Sequence, residues 1–108
     1  MTKRKSSRVT QPPRIELDAR LTIMQAADLH RTLAARLASG GPVAVDGARV
    51  EEIDTSILQL LTSLWRTGLE RGIPCTWHGV SDVLRQRAAL IGVAELLHFP
   101  DDESARRR

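Results

Sequence analysis

One cysteine, Cys75, is all the thiol this chain carries, which excludes an internal disulfide. With only His30, His78 and His98 beside it, scattered along the sequence, it cannot build a Cys-rich zinc site either. A reducing compartment is the expectation that fits best. Tyrosine is absent, and Trp65, Trp77 and Phe99 are the only aromatic residues, so there is little on which nucleic-acid bases could stack. No apolar run approaches the ~20 residues that cross a bilayer, so the expectation is a soluble protein without membrane insertion. The sequence also lacks Gly-x-Ser-x-Gly, a glycine-rich phosphate loop and His-Glu-x-x-His. Ser56 stands beside Asp54 with no identifiable histidine base, and the expectation is a protein that is not an enzyme, with no catalytic residue, metal or cofactor of its own.

What is present describes one ordinary domain. The chain has 108 residues, 42% hydrophobic and 27% charged. Area scaling lets such a chain bury roughly 65% of the surface it exposes when unfolded, enough for a core without staples. The net charge of +3 suggests a nucleic-acid partner only until it is divided along the chain. Residues 1–14 hold five basic and no acidic side chains, residues 101–108 three of each, and residues 15–100 eight basic against ten acidic. The interior is therefore slightly acidic, and no nucleic-acid partner is expected. The expected organisation is a basic disordered tail over 1–14, a folded domain over 15–100 and a charged disordered tail over 101–108. The basic start runs into Ser6, Ser7 and Pro12-Pro13 without an apolar stretch, unlike a secretory signal, so a bacterial-type cytoplasmic location is expected.

Hydrophobic periodicity gives the elements. Ile15, Leu17, Ala19 and Leu21 alternate with charged residues, the period of a half-buried strand. Thr22 and Gln25 form a capping-box pattern, after which Ala26, Leu29, Leu33 and Leu37 recur at helical spacing until Gly40-Gly41-Pro42. Val43-Ala44-Val45 suits a strand covered on both faces, closed by Asp46-Gly47. Beyond a loop holding Val50 and Ile53, the set Ile57, Leu60, Leu61, Leu64 and Trp65 marks a second helix that ends near Gly72. Ile73, Cys75 and Trp77 alternate as a third strand. Ser81-Asp82 then opens a helix carrying Val83, Leu84, Ala88 and Ile91, ended by Gly92, and Val93 to His98 reads as a short further helix. Strands joined through single helices run parallel, so the fold class is α/β with a mainly parallel sheet covered by about four helices.

In such folds function sits at the carboxyl ends of the strands, which directs attention to residues 46–58. There Thr55 and Ser56 stand beside the carboxylate of Asp54 at the start of a helix whose first N–H groups lack intrahelical partners. One reading is purely structural: Asp54 or Ser56 is the N-cap, Ser56 with Gln59 makes a second capping box, and the arrangement contributes ~1 kcal/mol of helix stability. The other is functional, a pair of hydroxyls presented for binding or modification.

The run Asp54-Thr55-Ser56-Ile57-Leu58-Gln59-Leu60-Leu61, preceded by Val43-Ala44-Val45-Asp46 and followed by Trp77-His78-Gly79-Val80-Ser81, resembles the STAS family, named for sulphate transporters and anti-sigma-factor antagonists. The likeness covers roughly residues 15–99. It implies a single STAS-type α/β domain acting as a regulatory binding module. It further implies that the hydroxyl directly after the aspartate, Thr55 here with Ser56 as the alternative, accepts phosphate from a partner serine/threonine kinase that also acts as an anti-sigma factor. Where the family often has Ser-Gly or Gly-Gly next, this chain has Ser56-Ile57. The implied partner surface comprises Asp54, Thr55, Ser56, Ile57 and Leu58, with Gly79, Val80 and Ser81 at its rim; Asp54 would orient the hydroxyl or the partner and Ser56 would cap the helix. A second branch of the family supplies small subunits bound to the ATPase of a lipid-transporting ABC complex, with the equivalent threonine at the contact, and chemotaxis-associated members carry a similar Asp-Thr-x-x-Leu-Gln-Leu-Leu run.

Other residues read as structural. Cys75 and His78 fall on opposite faces of a strand and cannot share a metal. His30 lies on a helix flank and His98 at a helix end. Trp65 is expected in the core; exposed, it would join Leu58 or Leu69 in a patch suited to docking or a homodimer.

Overall fold

The computed structural model describes residues 14–100; the two expected tails, apart from Arg14, lie outside the described residues. The described chain runs β1 (Ile15–Glu16), β2 (Arg20–Leu21), α1 (Ile23–Ser39), β3 (Val43–Gly47), β4 (Glu52–Ile53), α2 (Thr55–Arg71), β5 (Cys75–Val80), α3 (Asp82–Leu90) and α4 (Ala94–Leu97). It is a single small α/β domain with a parallel sheet and, among the described residues, four helices, as the periodicity predicts.

The strands form two sheets. β3 lies between β1 and β5, parallel to both, and β2 pairs in parallel with β4. The stretch expected as one strand over 15–21 is thus two, because its two ends find different partners. Leu17 N–H still donates to Asp46 O at 2.9 Å, whereas Ala19 O accepts from Glu51 and Glu52 N–H at 2.8 and 3.0 Å, which turns the chain from β3 onto β4. The alternation survives the bend, with Ile15, Leu17 and Leu21 all buried. β4 is itself a departure from the expected loop. β5 likewise runs on past the alternation of Ile73, Cys75 and Trp77, through His78, Gly79 and Val80.

β3 and β5 do not pair evenly. Val45 faces Trp77 but Asp46 faces Gly79, leaving His78 as an extra residue bulged out to solvent. Glycine at 79 is required by close approach: a Cβ there would sit 2.9 Å from both Ala48 Cβ and Asp46 Oδ1.

α1 starts with the predicted capping box. Thr22 Oγ1 accepts from Met24 N–H, and the Gln25 side chain takes the Thr22 N–H at 2.7 Å. Gly40 and Gly72 end α1 and α2 in the left-handed conformation, with φ of 81° and 71°. α2 is the central helix. Ile57, Leu58, Leu61, Leu64 and Trp65 are buried on one broad face, each such aliphatic contributing about 1.5–3 kcal/mol. Thr62, also buried, satisfies its hydroxyl by donating to Leu58 O at 2.8 Å. Trp65 is buried in the core as expected, stacked on Trp77 with ring centroids 4.6 Å apart, so the condition for an exposed tryptophan patch is not met. Trp77 in turn packs on Phe99 and donates its indole N–H to Leu97 O at 2.8 Å, which ties α4 and the end of the domain to the sheet.

Candidate functional site

The start of α2 is held by the backbone of neighbouring elements. Asp54 N–H donates to Leu21 O at 2.9 Å, continuing the β2–β4 pairing, and Asp54 O accepts from Ile57 and Leu58 N–H at 3.1 Å to begin the helix. Asp54 occupies the N-cap position with extended φ and ψ of −82° and 157°, yet its carboxylate does not cap its own helix. Oδ2 instead accepts from the backbone N–H of Ile23 at 2.9 Å and so closes the N-terminus of α1. The two long helices therefore start side by side, joined through one carboxylate.

The four residues that follow Asp54 separate sharply. Thr55 is exposed. Ser56 is half-buried, and its Oγ is sealed from solvent without any hydrogen-bond partner. Ile57 and Leu58 are 0% and 1% exposed. Two expectations are corrected by this. Ser56 caps nothing, because the N-cap position falls two residues earlier and the Ser56 hydroxyl points inward; for the same reason it is not an accessible alternative phosphoacceptor. Ile57 and Leu58 cannot form a partner surface, because their side chains are core. Asp54 and Thr55 remain as presented side chains.

Gly79 and Ser81 are half-buried at the end of β5. Ser81 accepts from Leu84 N–H at 3.1 Å, the N-cap of α3, while its own N–H donates to Gly47 O at 3.1 Å. Neither lines the cavity beside Thr55. That cavity, about 150 Å³, is bounded by Ile53, Asp54, Thr55, Leu58, Arg87 and Ile91, and it is the far end of α3 that faces the hydroxyl. Arg87 and Ile91 are thus site residues that the sequence reading missed.

The surroundings are mixed in character. Ile23 and Met24, beside the Asp54 carboxylate, are 63% and 82% exposed, and Leu90, next to Ile91, is exposed as well. Glu52 pairs with Arg20 at 3.6 Å, Asp46 of β3 with Arg14 at 3.4 Å and Glu16 of β1 with Arg49 at 3.7 Å. The Arg87 guanidinium makes no hydrogen bond or ion pair among the described residues, while its backbone carbonyl accepts from Ile91 N–H at 3.2 Å. Thr55 is therefore an accessible hydroxyl beside a cavity that Ile53, Leu58 and Ile91 also line, with Arg87 as a cation whose guanidinium has no partner among the described residues.

Away from this site, Cys75 is half-buried against Gly68, and burial raises the pKa of its thiol. His78, His30 and His98 are exposed.

Fold and site together define a small α/β domain with a mainly parallel sheet that presents one hydroxyl at the start of its central helix. A family model described as "Mlab, STAS domain" matches residues 5–98, and the chain belongs to the STAS family. STAS domains generally mediate protein–protein interactions. No curated protein matches the chain. Among the described residues no helix is long and apolar enough to cross a membrane.

Proposed function

We propose that this chain is a non-catalytic regulatory protein of the anti-sigma-factor-antagonist kind, which binds a partner protein through the start of α2 and is switched by reversible phosphorylation of Thr55. The observation that carries the reading is the exposure of Thr55 next to a sealed Ser56 hydroxyl and a buried Ile57 and Leu58. In the transfer, Thr55 Oγ1 bonds to the γ-phosphorus of a nucleoside triphosphate held by the partner kinase. The bond from that phosphorus to the bridging oxygen breaks, the nucleoside diphosphate leaves, and the hydroxyl proton passes to a base on the partner. The product carries about −1.5 to −2 additional charges beside Asp54, Glu51 and Glu52. A partner that had packed against Ile23, Met24 and Thr55 then meets a hydrated dianion, and repulsion with desolvation weakens the complex by several kcal/mol without a change of fold.

The apolar flank supports a second reading. Exposed Ile23 and Met24 at the start of α1, which the Asp54 carboxylate closes, and exposed Leu90 next to Ile91 of the cavity lining suit a long-lived contact, since permanent interfaces are the more hydrophobic ones. In that reading the chain is an accessory subunit of the ATPase of a lipid-transporting ABC complex, with Thr55 unmodified at the contact. The test is to isolate the binding partner on immobilised protein, identify it by mass spectrometry, and incubate it with the chain and γ-labelled ATP. A kinase that labels the wild type but not Thr55→Ala is the expected result. Label retained in Thr55→Ala overturns the assignment of the acceptor, and recovery of a transporter ATPase that transfers no label overturns the switch in favour of the second reading.

A further inference from the structure

Arg87, in the last turn of α3, lines the cavity that Thr55 and Asp54 also line, although it lies 32 positions beyond Thr55 in the chain. α3 packs against β4, which fixes that helix beside the start of α2. The groups that bear on the cavity are few. Asp54 is on the α2 side, with its carboxylate engaged by the Ile23 N–H. Glu51 and the Arg20-paired Glu52 precede it on the chain segment leading to α2, and Arg87 alone comes from α3. The cavity has room for several water molecules, and so for a phosphoryl group.

Resting on the reading of Thr55 as phosphoacceptor, we infer that the cavity between α2 and α3 is the seat of the Thr55 phosphate, with Arg87 as the residue that receives it. A planar guanidinium offers two parallel N–H donors to two phosphate oxygens. The modified side chain then lies across the α2–α3 seam instead of projecting into solvent. Modification therefore also withdraws from the partner a cation that no other described side chain engages, and release involves both the new dianion and the lost Arg87.

The inference can be tested whether or not a kinase is found, by installing phosphothreonine at position 55 during translation and following its ³¹P resonance with pH. The second ionisation of the phosphate, ordinarily near pH 6, is expected to lie about half a unit or more lower in the otherwise wild-type protein than in Arg87→Gln, and Arg87→Lys is expected to fall between them. The Arg87 Nε–H resonance shifts on modification. Arg66→Gln, three turns along α2, leaves the titration unchanged and serves as the control. Equal titration in the wild type and Arg87→Gln, or an Arg87 Nε–H resonance unmoved by the phosphate, overturns the inference. The proposed switch fails separately, if no partner kinase modifies Thr55.

Discussion

The Asp54 carboxylate accepts the backbone N–H of Ile23 across 2.9 Å, so the residue that leads into α2 also closes the start of α1. The contact spans 31 residues of sequence and makes the relative placement of the two helix starts depend on one side chain. Asp54→Ala is expected to lower stability by about 1 kcal/mol, the usual worth of a lost cap, with water taking over the exposed N–H. Asp54→Asn keeps an acceptor and loses less. Urea unfolding of the three proteins measures the difference, and equal midpoints would show that the contact contributes nothing.

Thr55 and Ile57 stand two positions apart on the same helix with opposite expected responses to truncation. Thr55→Ala removes exposed atoms and is expected to change stability by no more than about 0.5 kcal/mol while abolishing phosphate acceptance. Ile57→Ala opens a hole in a side chain with no solvent contact and is expected to cost about 2–5 kcal/mol. Thermal melts of both variants, with kinase labelling of the first, separate the role in the site from the role in the core.

Ser56 is the one described residue whose sealed side-chain oxygen has no partner. An unsatisfied buried hydroxyl carries its desolvation cost without return, so Ser56→Ala is expected to be neutral or to stabilise by up to about 1 kcal/mol. A loss of that size instead would show that the hydroxyl does find a partner in solution.

The elements longer than a few residues were legible because each has its own period: 3.6 in α1 and α2, two in Cys75 to Trp77. The capping box of Thr22 and Gln25 was legible for a similar reason, since both partners lie within one turn. What escaped depends on contacts between distant segments. The alternation from Ile15 to Leu21 is the same whether the strand runs straight or passes from one partner to another, and β4 is two residues whose identity as strand comes only from pairing with Arg20 and Leu21. At the site, Thr55 and Asp54 were readable from their place before an apolar helix. Arg87 was not, because only the packing of α3 on β4 brings it there. The Asp54-Thr55-Ser56 run offers two candidate caps, Asp54 and Ser56, and the pattern by itself does not reveal that the first closes a different helix.

Cys75 gives a dependence on pH whose sign follows from its burial. Burial disfavours the thiolate and raises the folded-state pKa, while in the unfolded chain the thiol ionises at its ordinary value. Between those two values the unfolded state has released a proton that the native state still holds, so stability falls as pH rises. The contribution is fully present below the ordinary thiol range and is lost as pH climbs through the raised value. Urea unfolding at neutral pH and at about pH 10 should show a larger alkaline loss for the wild type than for Cys75→Ala, whatever the two proteins' stabilities at neutral pH. Gly68 gives this burial its structural cause: a Cβ at 68 would come within 2.6 Å of the Cys75 sulfur, so the thiol is pressed against the backbone of α2. Alkylation by iodoacetamide at mildly alkaline pH should accordingly be slow in the native protein and fast in urea. Equal rates, or identical alkaline losses with and without the thiol, would show that Cys75 meets solvent freely.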